Sequence, residues 1–528
     1  MNKTLHSFKR IASTIVFTSA ILENVFFFSA VNFFASCVLV YGWWLIKSMV
    51  LTSNNLQLFP VSFFMILGLA IIHFILPMPL TLLEFNAVTF NLRVPFLTFF
   101  HHFLFVTIIV FTHFIYTRIS NGKNILRVFL NRTNFYYQPT DRIIWITSFL
   151  GMFASFYNYF IFDAWQREAT DRNFLYYINA ILAQFIWMPL IIPFVKFREI
   201  KNNPNKNSIK YIILYSAFVF IIAIASNWRT LLFSGVVIVL SMILMGVLLQ
   251  YYNLKKIFTA KKAILTLAIV LFAAGPMVDL GYAMVVVRHE RVSLSAVEFI
   301  NKTLSIYNNK DELERIKLVG SKGDGFNSIQ SNVWDEEYLH NAIINRFVNL
   351  KISDNSLFFA EKLGYQNEIM QREFLNQLVA LLPNAFYSFF SFDKAQKIDA
   401  SSYSIGDLLY SLAVSDVSLR GSAVISSIPG VGMAIFGYWY LIVIFPVFII
   451  IFTMFDSLAK LKNGRIIFSY LFFLMILTII NYFNDRHVFT FEFRFILRTY
   501  FESVIIFLII MKIITSVGSV SIRHRSSL

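Results

Sequence analysis

Residues 231–251 read LLFSGVVIVLSMILMGVLLQY, a run with no charged side chain and with apolar residues on every face of a helix. A helix needs about 20 such residues to cross a hydrocarbon core. A strand of a membrane barrel would instead alternate apolar and polar positions over about ten residues, and this run does not. In hydrocarbon the backbone must satisfy its own N–H and C=O groups, so the expected spanning element is a helix. Similar runs recur along the 528 residues, separated by short polar segments. The chain is 57% hydrophobic and 14% charged, against about 25% charged for soluble domains. Its mean hydropathy is +0.66. The expected fold class is all-α, a polytopic transmembrane helical bundle.

The formal charge of +16 is a topology signal and does not point to nucleic acid, because Lys and Arg cluster in short segments between apolar runs. Residues 117–142, 196–210 and 252–262 are the clearest basic segments and are expected in the cytoplasm. Spans near 143–162 and 174–195 join the first to the second, and spans near 211–226 and 231–251 join the second to the third. A span near 263–287 then carries the chain outward. A return span near 432–455 is followed by spans near 466–483 and 504–519. Upstream, spans near 58–76 and 96–116 precede the first basic segment. The apolar stretch Ile11 to Ile46 is too long for a signal-peptide core and reads as two anchoring spans turned near Asn32. The expectation is about twelve spans with both termini cytoplasmic; eleven spans with an interfacial N-terminal helix is the alternative.

The division expected from this threading is an N-terminal bundle, 1–287, a large outer segment, 288–422, and C-terminal helices, 423–528. The segment 288–422 holds 14 Lys and Arg against 17 Asp and Glu, which leaves 31 basic and 12 acidic residues, out of 45 and 29, for the rest. It is near neutral, as an exported segment should be. Within it Phe374, Leu378, Leu381 and Leu382 fall at helical spacing with Arg372, Glu373 and Gln377 between them, and Pro383 follows. This predicts an amphipathic helix that lies on the outer leaflet or caps the bundle, or else packs inside a small loop domain.

No nucleotide loop, zinc-protease motif or CxxC pair is present, and the lone Cys37 cannot form an intrachain disulfide. His101 and His102 are adjacent and cannot share a helix face, so neither metal nor cofactor is expected. The informative residues are arginines at membrane depth or at its outer boundary, where a charge is costly and marks function. Arg229 stands in the short link SNWRTLLFSG between two apolar runs. Arg288 and Arg291 follow a span, Arg420 precedes one, and Arg486, His487, Arg494 and Arg498 share the last outer segment with Asp485 and Glu492. A guanidinium binds phosphate oxygens bidentately and stays charged, which suits a lipid diphosphate. The competing reading of each single arginine is a side chain snorkelling to the interface. Glycosyl transfer also needs a base; His340, in EEYLHNAIINRF beside Arg346, is the first candidate, with His487, Asp485 and Glu492 as others.

With SNWRTLLFSG opening a span, RGSAVISSIPGVGMAIFGYWYLIV re-entering the membrane at 420–443 and an arginine-bearing outer segment before the last span, the chain resembles the O-antigen polymerase and oligosaccharide repeat-unit polymerase families of bacterial inner membranes. The resemblance implies polymerisation of undecaprenyl-diphosphate-linked oligosaccharide repeat units at the outer face. Membrane lipid and a chain-length regulator protein are the further implied partners. It implies that Arg229, Arg288, Arg291 and Arg420 hold the diphosphate while His340 or a carboxylate activates the acceptor, without metal. An Arg-x10-Gly pattern found in some members is missing. The alternatives are a flippase or other transporter of lipid-linked oligosaccharide, an O-antigen ligase, and a polyprenyl-phosphate-dependent glycosyltransferase, the last disfavoured by a single carboxylate, Glu84, in 77–95.

Overall fold

The structure, a computed structural model, describes residues 3–162, 174–198, 206–227, 229–253, 275–287, 294–315, 333–339, 350–382, 402–421, 424–483 and 489–523, with a few single positions between them. The described elements are helical apart from one hairpin of two short strands, Ala459–Lys462 and Arg465–Phe468. Among the described residues six helices are long and apolar enough to cross a membrane: Ala30–Met49, Pro95–Ser120, Asp141–Ile161, Ser208–Ala225, Leu231–Leu248 and Ile428–Asp456. The pair Pro60–Ile75 and Pro77–Leu83 makes a seventh when taken as one bent span. Its 40° bend falls at a π turn followed by Pro77, both known causes of kinks. The chain is a helical multi-pass membrane protein.

Twelve spans are not found among the described residues. The stretch expected as a span at 174–195 is a ten-residue helix, Phe174–Ala183, followed by turns and a 3-10 turn, Met188–Ile191. Pro189 and Pro193 lack the N–H that would continue it. At 466–483 the strand Arg465–Phe468 takes the first residues, and only the short helices Tyr470–Leu474 and Ile476–Ile480 follow. Of the span expected at 263–287, residues 263–274 lie outside the described residues and Pro276–Val287 is helix.

The N-terminal stretch does turn before Asn32. Helix α1, Lys3–Phe26, ends there, and Ser29 caps helix α2, Ala30–Met49, by accepting from Asn32 N. Glu23, fully buried, accepts from Asn32 Nδ2 (3.2 Å), Thr81 Oγ1 (2.9 Å) and Val88 N (3.2 Å). At the other end of the pair Ser13 accepts from Trp43 Nε1 and Lys47 Nζ, so the two helices run antiparallel. The charges Lys3, Lys9, Arg10 and Glu23 within α1 keep it from being as apolar as the six spans.

The chain divides into two compact units. The first comprises Met1–Leu130, Asp324–Leu461 and Thr478–Phe507; the second comprises Asn131–Gly323, Lys462–Leu477 and Leu508–Leu528. In the second unit Tyr215, Val219, Leu231, Met277 and Met284 pack into one core. Tyr215 OH donates to the carbonyls of Ser148 and Ile186, both at 2.8 Å, satisfying a polar group that burial would otherwise penalise.

The first unit contains two helices that start in the same way. Helix α3, Pro60–Ala70, follows Phe59, and helix α4, Pro95–Ser120, follows Val94. Proline is favoured in the first helical turn because its missing N–H would have had no partner there. Neither Phe59 nor Val94 has a side chain that can cap the remaining N–H groups; a distant aspartate caps the first turn of α3, and another holds the two residues that lead into α4. Asp456 accepts from Val61 N (2.9 Å) and Ser62 N (3.1 Å). Asp354 accepts from Arg93 N and Val94 N, both at 2.8 Å, and from Thr98 Oγ1 at 3.2 Å.

Asp354 lies on helix α5, Leu350–Leu363, whose start is polar yet buried on all sides: Lys351, Ser353, Asp354, Asn355 and Ser356 are all inaccessible. Against it packs helix α6, Ile428–Phe436. A Cβ added at Gly430 would fall 2.2 Å from Ser356 Cβ, so only glycine permits this approach. Ser356 Oγ also accepts from Ser427 N at 3.0 Å.

The expected amphipathic helix is present as Glu368–Ala380, capped by Asn367. Its buried face is Met370, Phe374, Gln377 and Ala380, one step round from the expected stripe, with Leu378, Leu381 and Leu382 half-buried. Phe374 meets the rings of Phe436, Phe489 and Phe493, so the helix caps neighbouring helices by that face.

Candidate functional site

Of the residues singled out from the sequence, Arg288, Arg291, His340, Arg346, Asp485, Arg486 and His487 lie outside the described residues. Arg229 is the first residue of the helix Arg229–Leu248, and its side chain is likewise outside the description. Arg494 and Arg498 are exposed on one helical run, and Arg498 Nε pairs with Glu502 at 2.7 Å, one turn along. Such an exposed pair contributes little stability. Glu492, expected in an outer segment, is instead buried and accepts from Tyr482 OH, which leaves it inaccessible as a base for a surface acceptor. Charged groups therefore do not all avoid the helices, because helix Phe489–Arg494 begins within the stretch that reads as a loop.

Arg420 follows a 3-10 turn, Val417–Leu419, that Asp416 caps. Its guanidinium carbon sits 5.4 Å from the centre of the Tyr403 ring, and its Nε is buried without a partner. Tyr403 OH donates to Glu373 Oε2 at 3.1 Å. Burial and the charge of Glu373 push the Tyr403 phenol up to about 12, so it remains a neutral donor at physiological pH.

The more developed site centres on Arg93, which sequence reasoning passed over. Arg93 precedes Val94-Pro95, so its backbone N–H is tied to Asp354 while its side chain extends along α5. The guanidinium lies 4.9 Å from the Phe358 ring centre and 5.4 Å from that of Phe359. Phe359 stacks on Trp334 and meets Tyr410 edge-on, so aromatic rings form one wall. Arg93 Nη2 donates to the Val333 carbonyl, but Nε and Nη1 are buried without partners, as are Trp334 Nε1 and Asn355 Oδ1. Unpaired buried donors are rare because each costs about 1–3 kcal/mol.

Lys351 completes the site from the next turn. It is 1% exposed, donates to the Asn91 carbonyl and stands 3.8 Å from Asp354 Oδ2. Burial pulls the Lys351 ammonium down, opposed by Asp354 and Asp335, and pushes the Asp354 carboxyl up, opposed by Lys351 and by the N–H groups it accepts from. Further bonds knit the segment onto residues 84–94: Asn91 Nδ2 donates to the Glu337 carbonyl, and Asn341 N donates to Glu84. Nothing in the amino-acid pattern pairs Asn91-Leu92-Arg93 with Lys351-Ile352-Ser353-Asp354. A polar KISDNS start on an otherwise apolar helix was the available signal.

Four buried histidines lie within helices of the same unit: His113, whose Nε2 meets Ser62 Oγ at 3.1 Å, and His73, His101 and His102. His101 Nδ1 bonds Tyr440 OH at 2.9 Å and the ring stacks on Tyr438; His102 lies 5.6 Å from His73, whose Nε2 meets the Phe483 carbonyl at 2.8 Å. His101 Nε2 has no partner. No group of three metal-ligating side chains occurs among the described residues.

No protein-family model, curated protein or solved structure matches the chain.

Proposed function

We propose that the chain joins undecaprenyl-diphosphate-linked oligosaccharide units at the outer face of a bacterial inner membrane, as the repeat-unit polymerases do. The observation that carries this reading is the Arg93 guanidinium, with two nitrogens unpaired between aromatic rings at the start of a membrane helix. A phosphate supplies the acceptor oxygens that these donors lack, and it does so with charge assistance. Lys351 lies close by, and Arg420, like Arg127, has one unpaired buried guanidinium nitrogen in the same unit.

In this reaction the bond between the sugar C1 of the growing glycan and the diphosphate oxygen breaks while an acceptor hydroxyl of the incoming unit bonds to C1. The hydroxyl proton passes to a base, for which His340 is the candidate. The lipid diphosphate leaves with the charge that arginines stabilise as it develops. Deleting the gene and sizing the surface glycan tests the reading. Polymerase function predicts glycan collapsed to single repeat units, whereas an unchanged length distribution contradicts it.

A second reading, transport of the lipid-linked oligosaccharide, is favoured by His73, His101 and His102, since polar groups inside membrane helices often mark a pathway. It predicts loss of lipid-linked units from the outer leaflet, which the polymerase reading does not.

A further inference from the structure

Helices α1 and α2 leave between them an open groove of about 510 Å³ that the proposed function does not use. One stripe of α1 lines it. His6, Lys9 and Arg10 stand at its N-terminal end, joined there by Lys47 from α2, and Phe17 and Ile21 line the other end. The lining contains no carboxylate. From Arg10 to Ile21 the helix rises about 16 Å, at 1.5 Å per residue. The groove therefore grades from cationic to apolar along the direction in which a membrane grades from headgroup to acyl chain.

We infer that this groove binds an anionic glycerophospholipid of the leaflet on the N-terminal side of the bundle, with the phosphate among Lys9, Arg10 and Lys47 and an acyl chain along Phe17 and Ile21. Basic residues grouped at one membrane face attract anionic lipid generally. This group differs in being drawn into a concavity. Lys47 Nζ is held by Ser13 Oγ at 2.8 Å, where a snorkelling lysine would extend to water. Ser13 Oγ also accepts from Trp43 Nε1 at 3.0 Å, so its own hydroxyl proton is free to donate. Lys9 is half-buried, and burial together with the charge of Lys47 pulls its ammonium pKa down. A phosphate in the groove relieves that repulsion. Phe17 and Ile21, 48% and 63% exposed, favour a lipid over a free phosphate.

The test is native mass spectrometry of the purified full chain titrated with phosphatidylglycerol, phosphatidylethanolamine or inorganic phosphate. Retention of phosphatidylglycerol about tenfold above phosphatidylethanolamine is expected, with loss of that preference in the K9Q/R10Q/K47Q variant. The R118Q/K123Q variant removes two exposed charges outside the groove and should keep it. Equal retention of both lipids, an unchanged preference in the triple variant, an equal loss in the control, or binding of inorganic phosphate alone would each overturn the inference. If the triple variant does not fold, photoreactive phosphatidylglycerol added to the unaltered protein decides the matter: labelling within residues 3–49 supports the site, and labelling confined to other segments refutes it.

Discussion

Phe59-Pro60 and Val94-Pro95 begin two helices of one unit with nearly the same backbone, φ −131° and ψ 53° in the first case, φ −128° and ψ 59° in the second. Both rely on an aspartate far away in sequence, 395 residues from Val61 and 260 residues from Val94. The two sites differ in how completely the neighbouring polar groups are paired. Around Asp456, Ser62 Oγ donates at 2.6 Å and Tyr116 OH at 3.1 Å, and Arg127 donates from both terminal nitrogens to the carbonyls of Gly122, Leu58 and Asp456, with its Nε left unpaired. Around Asp354, Arg93 has one side-chain acceptor and two unpaired nitrogens. A buried aspartate thus organises both helix starts, beside an arginine with one unpaired nitrogen at the first and an arginine with two at the second, the two that the proposed diphosphate would engage.

Removing each aspartate tests the shared half of this comparison. Asp456→Ala strands four donors at once and should destabilise the protein most, by about 4 kcal/mol, read as a lowered unfolding midpoint in detergent. Asp354→Ala should cost about 3 kcal/mol, since it strands Lys351 as well as the N–H groups of Arg93 and Val94. Adding Lys351→Met to that variant should recover about 1 kcal/mol or more, and strict additivity of the two changes would show that the pair is not coupled. Gly430→Ala tests the packing that positions α5 and should cost about 2 kcal/mol, because the added methyl meets Ser356 backbone and Cβ. Tyr116→Phe removes a single bond to Asp456 and should cost about 1 kcal/mol by the same midpoint measurement.

Local patterns were legible where the chain's own neighbours decide the outcome. The run 231–251 became a helix through Leu248, and the break before Asn32 followed from polar residues interrupting an apolar stretch too long for one span. Where prolines or a strand intervene, at 174–195 and 466–483, hydropathy overstated helix length because it does not register backbone bonding. The site was less legible. Arg93 sits at a span boundary, where an arginine ordinarily snorkels, and its significance comes from contacts with residues 333–359 that no spacing rule connects to it. Glu492 reads as a loop carboxylate by charge, yet Tyr482 OH and the surrounding rings bury it.

Arg93→Gln separates the two aspartate sites most directly. The cost of its two unpaired buried nitrogens offsets its bond to Val333 and its ring contacts, so the unfolding midpoint should move by less than about 1 kcal/mol equivalent. Binding of a polyprenyl diphosphate to the protein in lipid nanodiscs should weaken by about tenfold or more, because a charge-assisted contact is lost. Undiminished diphosphate binding by a folded Arg93→Gln protein would contradict the assignment of this site to the lipid-linked substrate.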